Sequence, residues 1–224
     1  MKIFLSIPIS NRPELRMFFG VQKAISTSKH EILLYATEGD SLISRARNNH
    51  ISIFLNKYKD CDYFFSLDSD LEIENISKEN NIFDKLISHN LDFVGGLYAL
   101  KKQTEERRCA SVTGEGSFLP PNFNSGLIKM MWLSSGCWCI KRSAIEKMVK
   151  SYPELEYDGE GDMYGSKVHG LYCPFIHDMK EGKKKYLSED WAFVERWKKI
   201  GGEVYADTSI IINHLGKFSY NLWK

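Results

Sequence analysis

The chain has 224 residues, 43% of them hydrophobic and 13% aromatic, enough apolar material for one sizeable core and too much for a disordered protein. Thirty basic and 29 acidic residues leave a net charge of +1, which excludes a general polyanion-binding surface and makes nucleic acid an unexpected partner. Five cysteines without a regular framework predict reduced thiols and a cytoplasmic setting, and no run approaches the about 20 apolar residues of a transmembrane segment.

Lys2–Ile9 reads as a buried strand; the opening MKIFLSIPIS is too short an apolar run for a signal peptide, and Pro8 interrupts it. Pro13 suits a first helical position, and Leu15, Phe18, Phe19, Gln22 and Ile25 recur with a helical period. Glu31–Thr37 is a second strand and residues 38–41 (EGDS) a turn. Leu42, Ile43, Ala46, Ile53 and Phe54 then mark a second helix ending near Tyr58. Asp62–Leu67 is a third strand that stops at Asp68. Ser77–Asn90 reads as helical, with Ile82, Phe83, Leu86 and Ile87 on one face, and Phe93–Leu97 as a strand. This alternation predicts an α/β fold, a mostly parallel sheet with helices on both faces, whose ligands bind at the carboxyl ends of the strands.

The second half is less regular. Ser111–Asn124 reads as a loop, Leu127–Leu133 and Cys137–Ile140 as strands around Ser135-Gly136, and Arg142–Lys150 as a helix. In an extended Cys137-Trp138-Cys139 both thiols point the same way, into the core, and the spacing is not that of a zinc site. Ser151–Lys185 shows little periodicity and is expected to form a long functional loop, a lid or acceptor loop. Ser188 caps a helix running through Ile200, ended by Gly201-Gly202, and Glu203–Ala206 and Ile210–Asn213 are short strands. Repeats and linker-like boundaries are lacking, so residues 1–224 are expected to form a single domain, and no pattern specifies an oligomeric state.

Four constellations carry chemistry. Asp68-Ser69-Asp70 ends the apolar third strand, where unpaired carboxylates are costly to bury; two hard oxygen donors around a small residue fit a divalent cation, although such a pair also serves as a turn cap. A calcium EF-hand loop is excluded because its sixth position, which needs glycine, is Ile73. The haloacid-dehalogenase phosphatase pattern fails because its fifth position is Glu72 and its aspartate follows a first strand, not a third. Arg45 and Arg47 open the second helix, as phosphate-binding guanidinium forks or as a solvated basic face. Glu189 and Asp190 open the last helix, as a general base or as an ordinary acidic first turn. His214 follows a short apolar strand, as a structural histidine or as a further ligand of the cation. The other histidines, His50 among them, show no ligand spacing, and P-loop, G-x-G-x-x-G and G-x-S-x-G motifs are missing from the sequence.

The order SRARN (44–48), DYFFSLDSD (62–70), SSGCWCIKRSAIEKM (134–148) and YLSEDWAFVERWKKIGGEVYADTSIIINHLG (186–216) resembles GT-A-fold glycosyltransferases of the compact single-domain type found in bacteria, phages and large DNA viruses. The resemblance implies a nucleotide-sugar-binding half, about residues 1–100, and an acceptor-binding half, about residues 101–224. It implies Mn2+ or Mg2+ held by Asp68, Asp70 and His214, and a donor, a UDP-sugar favoured, contacted by Pro8, Ile9, Ser10, Thr37, Glu38, Arg45, Arg47 and Ser69. Asp190 is then the base of an inverting transfer to a hydroxyl of a glycan or other acceptor. Trp132, Ser135, Gly136, Trp138 and Glu189 are the acceptor-side candidates. The alternatives are a sugar-phosphate nucleotidyltransferase, whose Gly-rich signature SIPISNRPELR lacks, and a non-catalytic nucleotide- or carbohydrate-binding module.

Overall fold

The structure is a computed structural model describing residues 1–10, 12–102, 109–113 and 126–222. β1 (Lys2–Ile9), α1 (Leu15–Thr27), β2 (Glu31–Glu38), α2 (Ile43–Lys57) and β3 (Tyr63–Leu67) alternate as their apolar periods predict. A three-residue strand, β4 (Leu71–Ile73), follows, then α3 (Ile82–Ser88), β5 (Phe93–Gly96), β6 (Leu127–Lys129), β7 (Cys137–Lys141) and α4 (Arg142–Ser151). β8 (Glu156–Asp158), β9 (Lys167–His169), β10 (Phe175–Asp178) and β11 (Lys184–Leu187) precede α5 (Glu189–Lys199). β12 (Tyr205–Asp207), β13 (Ile212–Leu215) and β14 (Ser219–Asn221) complete the order.

The main sheet has seven strands in the order β2-β1-β3-β7-β5-β12-β6. β1 is parallel to β2 and β3, and β12 to β5. β7 is inserted antiparallel between β3 and β5, and β6 lies antiparallel at the edge. Five strands therefore run one way, as expected for this fold class. Phe4, Phe54, Phe64, Trp138, Ile145 and Phe193 fill the layer beneath α2, α4 and α5. Leu5, Val21, Phe65, Phe83, Cys137 and Cys139 fill the layer beneath α1 and α3. The alternation within β7 sends both thiols to one face and Trp138 to the other, and burial pushes the Cys137 thiol up to about 12.

Three expectations change. α3 starts at Ile82, not Ser77, because the Asn81 side chain accepts from the Phe83 amide at 2.9 Å and the Asp84 amide at 3.4 Å. The strand expected over Leu127–Leu133 stops at Lys129, and Val112 forms an isolated bridge with Trp132 instead. Ser151–Lys185, expected as a loop, folds into two hairpins, β8–β9 and β10–β11. Their strands of three and four residues are too short to show an alternating period. The first hairpin is tied to α2 by Ser52, whose hydroxyl donates to the Lys167 carbonyl at 2.7 Å. Residues 114–124 of the loop expected over Ser111–Asn124 lie outside the described residues.

Candidate active site

The carboxyl ends of β1, β2 and β3 lie together, and the acidic motif begins where β3 ends. The Asp68 amide donates to the Gly136 carbonyl at 2.9 Å, and the Leu71 amide to the Asp68 carbonyl at 3.2 Å, closing a turn around Ser69. The Ser69 carbonyl in turn accepts from the Glu14 amide at 3.1 Å. β4 then pairs antiparallel with β13, with Leu71 opposite His214. The Leu215 amide donates to the Asp70 carbonyl at 2.7 Å. This pairing joins positions far apart in the chain and sets His214 Nε2 3.3 Å from Asp70 Oδ2.

His214 is oriented from its other side. Its Nδ1 lies 2.8 Å from the Ala99 carbonyl oxygen. A carbonyl only accepts, so Nδ1 carries a proton, and Nε2 faces Asp70, to which it donates when the ring is protonated and beside which it offers a lone pair to a cation when the ring is neutral. The Tyr98 ring meets the imidazole edge-on at 5.2 Å, and its hydroxyl accepts from the Gly136 amide at 3.0 Å. Lys101 Nζ donates to Asp70 Oδ2 at 2.6 Å. Burial of Asp70 opposes its charge, but the hydrogen bonds from His214 and Lys101 prevail and hold the carboxyl down at about 2.

Arg47 spans the other half of the site. Its side chain is 5% exposed, with Nη2 donating to Asp68 Oδ1 at 2.6 Å and Nη1 to Glu189 Oε1 at 2.8 Å. Burial disfavours its charge, but the two carboxylates outweigh that and keep the guanidinium protonated. Its Nε is buried without a partner among the described residues, as is the hydroxyl of Tyr172, whose ring centroid lies 6.0 Å from the guanidinium carbon. Burial, and then the charge of Asp190, raise the Glu189 carboxyl. Asp190 Oδ1 accepts from the Ser188 hydroxyl and from the Trp191 amide. No partner of its Oδ2 occurs among the described residues.

The donor set meets a divalent cation in part. Asp70 and the Nε2 lone pair of His214 converge, and an imidazole anchored through Nδ1–H on a carbonyl is the usual outer support of a ligating histidine. Asp68 is drawn to Arg47 instead, and among the described residues no three acidic, histidine or cysteine side chains cluster tightly enough to enclose an ion. Asp70 and His214 fit as a two-residue seat for a divalent cation such as Mn2+ or Mg2+.

The remaining candidates divide. Pro8 and Ile9 pair with Thr37 and Glu38 at the open end of the sheet, with Ser10 exposed beyond them. Arg45 is committed to Asp40, through Nε at 3.0 Å and Nη2 at 2.8 Å. Trp138 is 0% exposed and stacked on Tyr172, and Trp132 is 1% exposed, stacked on Trp191 and donating to Glu195 at 3.0 Å. Both rings are committed to core packing, which replaces their expected acceptor-side role. Ser135 is buried as well, and Gly136 works on the protein side, binding Asp68 and Tyr98. Glu189, expected beside the acceptor, anchors Arg47.

Sequence reasoning missed Lys101, Tyr98 and Tyr172, which carry no motif, and passed over His50. His50 follows Arg47 by three residues, one helical turn, so it faces the same side of α2; that spacing was the available signal. It bridges Ser6 Oγ, 2.6 Å from Nδ1, and Thr37 Oγ1, 2.7 Å from Nε2, locking β1, β2 and α2 together below the site.

Fold and site together define an α/β protein with a mostly parallel central sheet flanked by helices, whose site gathers carboxylates, a buried arginine and an oriented histidine. Among solved structures, it is similar to A197 from STIV, at 17% identity and a TM-score of 0.59, covering 99% of this chain and 91% of that one, which shows a shared fold. It also matches a glycosyltransferase involved in the glycosylation of the major capsid of PBCV-1, at 14% identity and a TM-score of 0.40, over 68% of this chain and 67% of that one, too distant a superposition to bear on function. No known family model and no curated protein matches the chain. No described helix is long and apolar enough to cross a membrane.

Proposed function

We propose that the protein is a divalent-metal-dependent glycosyltransferase that moves a sugar from a nucleoside-diphosphate sugar, a UDP-sugar first among the candidates, to a hydroxyl of a glycan or other acceptor. The observation that carries this reading is the meeting of Asp70 with His214 Nε2, beside an Arg47 that bridges Asp68 and Glu189, next to the carboxyl end of β3. Asp70 and His214 would hold a Mn2+ or Mg2+, whose charge would stabilise the leaving diphosphate. The residues do the rest. Arg47 keeps the acidic loop in place, and the ends of β1 and β2 receive the nucleoside. Asp190 takes the proton of the attacking hydroxyl in a single inverting displacement.

The test is a thermal-stability panel of UDP, GDP, CDP and dTDP with and without Mn2+, followed by transfer assays on Asp190→Asn. Binding to the native state raises stability with occupancy. One diphosphate is expected to stabilise only with metal, and Asp190→Asn to keep that stabilisation while losing sugar transfer. If none of the four shifts the melting temperature, the proposal is wrong; if Asp190→Asn transfers normally, the base is another group.

A further inference from the structure

Lys101 stands outside every motif in the sequence, and the geometry gives it a defined seat. Its Nζ is 2.6 Å from Asp70 Oδ2, the oxygen that also lies 3.3 Å from His214 Nε2. Gly216, two residues beyond His214, makes room for the lysine stem: a Cβ at 216 would stand 3.3 Å from its Cδ and 3.6 Å from its Nζ. The ammonium thus sits on the same Asp70 oxygen that His214 approaches. Two positive groups on one carboxylate oxygen repel strongly at such separations, so ammonium and divalent cation exclude each other there. The lysine side chain is 37% exposed. A diphosphate that bridges the cation leaves further oxygens within the sweep of a four-carbon stem, and a compact ammonium binds phosphate as a point charge.

We propose that Lys101 is a further donor-site residue: it holds the cation seat on Asp70 in the donor-free protein and pairs with the donor diphosphate once a divalent cation has taken that seat. This rests on the glycosyltransferase reading above. It makes cation and diphosphate binding mutually dependent, because each is weak until the other has drawn Lys101 across, and such coupling is reciprocal.

The test measures Mn2+ binding to the full chain by electron paramagnetic resonance, alone and with inorganic pyrophosphate, which presents the diphosphate without a base or sugar. The proteins are the unmodified chain, Lys101→Met, Lys101→Arg and Asp70→Asn, each checked by its melting curve. Lys101→Met is expected to bind Mn2+ alone about tenfold more tightly, and pyrophosphate in the presence of saturating Mn2+ about tenfold more weakly. Lys101→Arg keeps the charge and should stay near the unmodified chain in both. Mn2+ binding that is lost in Asp70→Asn but unchanged in Lys101→Met overturns the role of Lys101 and leaves the metal site standing. No Mn2+ binding to any form, with or without pyrophosphate, overturns both.

Discussion

Acid should loosen this protein through His50. The ring is fully buried, between the hydroxyls of Ser6 and Thr37. Burial first, and the positive charge of Arg47 second, push it from an ordinary 6.5 down to about 4. The unfolded chain regains the ordinary value, so between these limits it binds a proton that the folded chain refuses. The stabilisation from a neutral His50 is complete above about pH 6.5 and is lost as pH falls toward about 4. At about 1.4 kcal/mol for each pH unit the full difference is about 3 kcal/mol, most of which is lost by about pH 4.5. Other groups titrate in the same range, so the assay is a comparison. Urea unfolding, followed by tryptophan fluorescence, is run at about pH 7.5 and about pH 4.5 on the unmodified chain and on His50→Gln, whose amide can still meet both hydroxyls but does not titrate. The unmodified chain should lose about 2–3 kcal/mol more than the variant between the two conditions. Parallel losses would refute the reasoning and mean that water reaches the ring.

Removing the arginine at the centre of the site should be costly. Arg47→Met leaves Asp68 and Glu189 without their shared cation, and urea unfolding is expected to show a loss of about 2–4 kcal/mol, below the figure for fully buried pairs because those carboxylates are 25% and 21% exposed. Adding Glu189→Gln to that variant should recover part of the loss, and a loss no greater than that of a surface substitution would contradict the bridging role. Gly136→Ala places a Cβ 2.7 Å from both the Tyr98 hydroxyl and Leu71 Cδ1. Relief requires Tyr98 to move, at a cost of about 1–3 kcal/mol. Because Tyr98 packs against His214, Mn2+ binding should weaken while the circular dichroism of the fold is retained; unchanged Mn2+ affinity would show that Tyr98 does not position the histidine.

Much of the first half was legible before any coordinates, for a local reason. A helical or alternating period is written into consecutive residues, and β1, α1, β2, α2 and β3 each run long enough to display one. The end of β3 at Asp68, the acidic start of α5 and the common face of Cys137 and Cys139 follow from the same rules. The hairpins of residues 156–187 and the strand β4 were not legible, since elements of three or four residues carry no measurable period. The bulk of Trp132 and Trp138 was visible in the sequence, but which surface would cover them was not.

The sequence by itself determined the alternating α/β order and the presence of two aspartates at a strand end, an arginine at a helix start and a histidine after a late apolar strand. Only the tertiary structure decided that β4 pairs with β13, which carries His214 to Asp70 across more than a hundred residues of chain. It alone put Lys101 on that same carboxylate and Arg47 between Asp68 and Glu189. Strand pairing and buried ion pairs depend on which surfaces meet after the core has closed, and that is a property of the whole packed chain, not of any window along it.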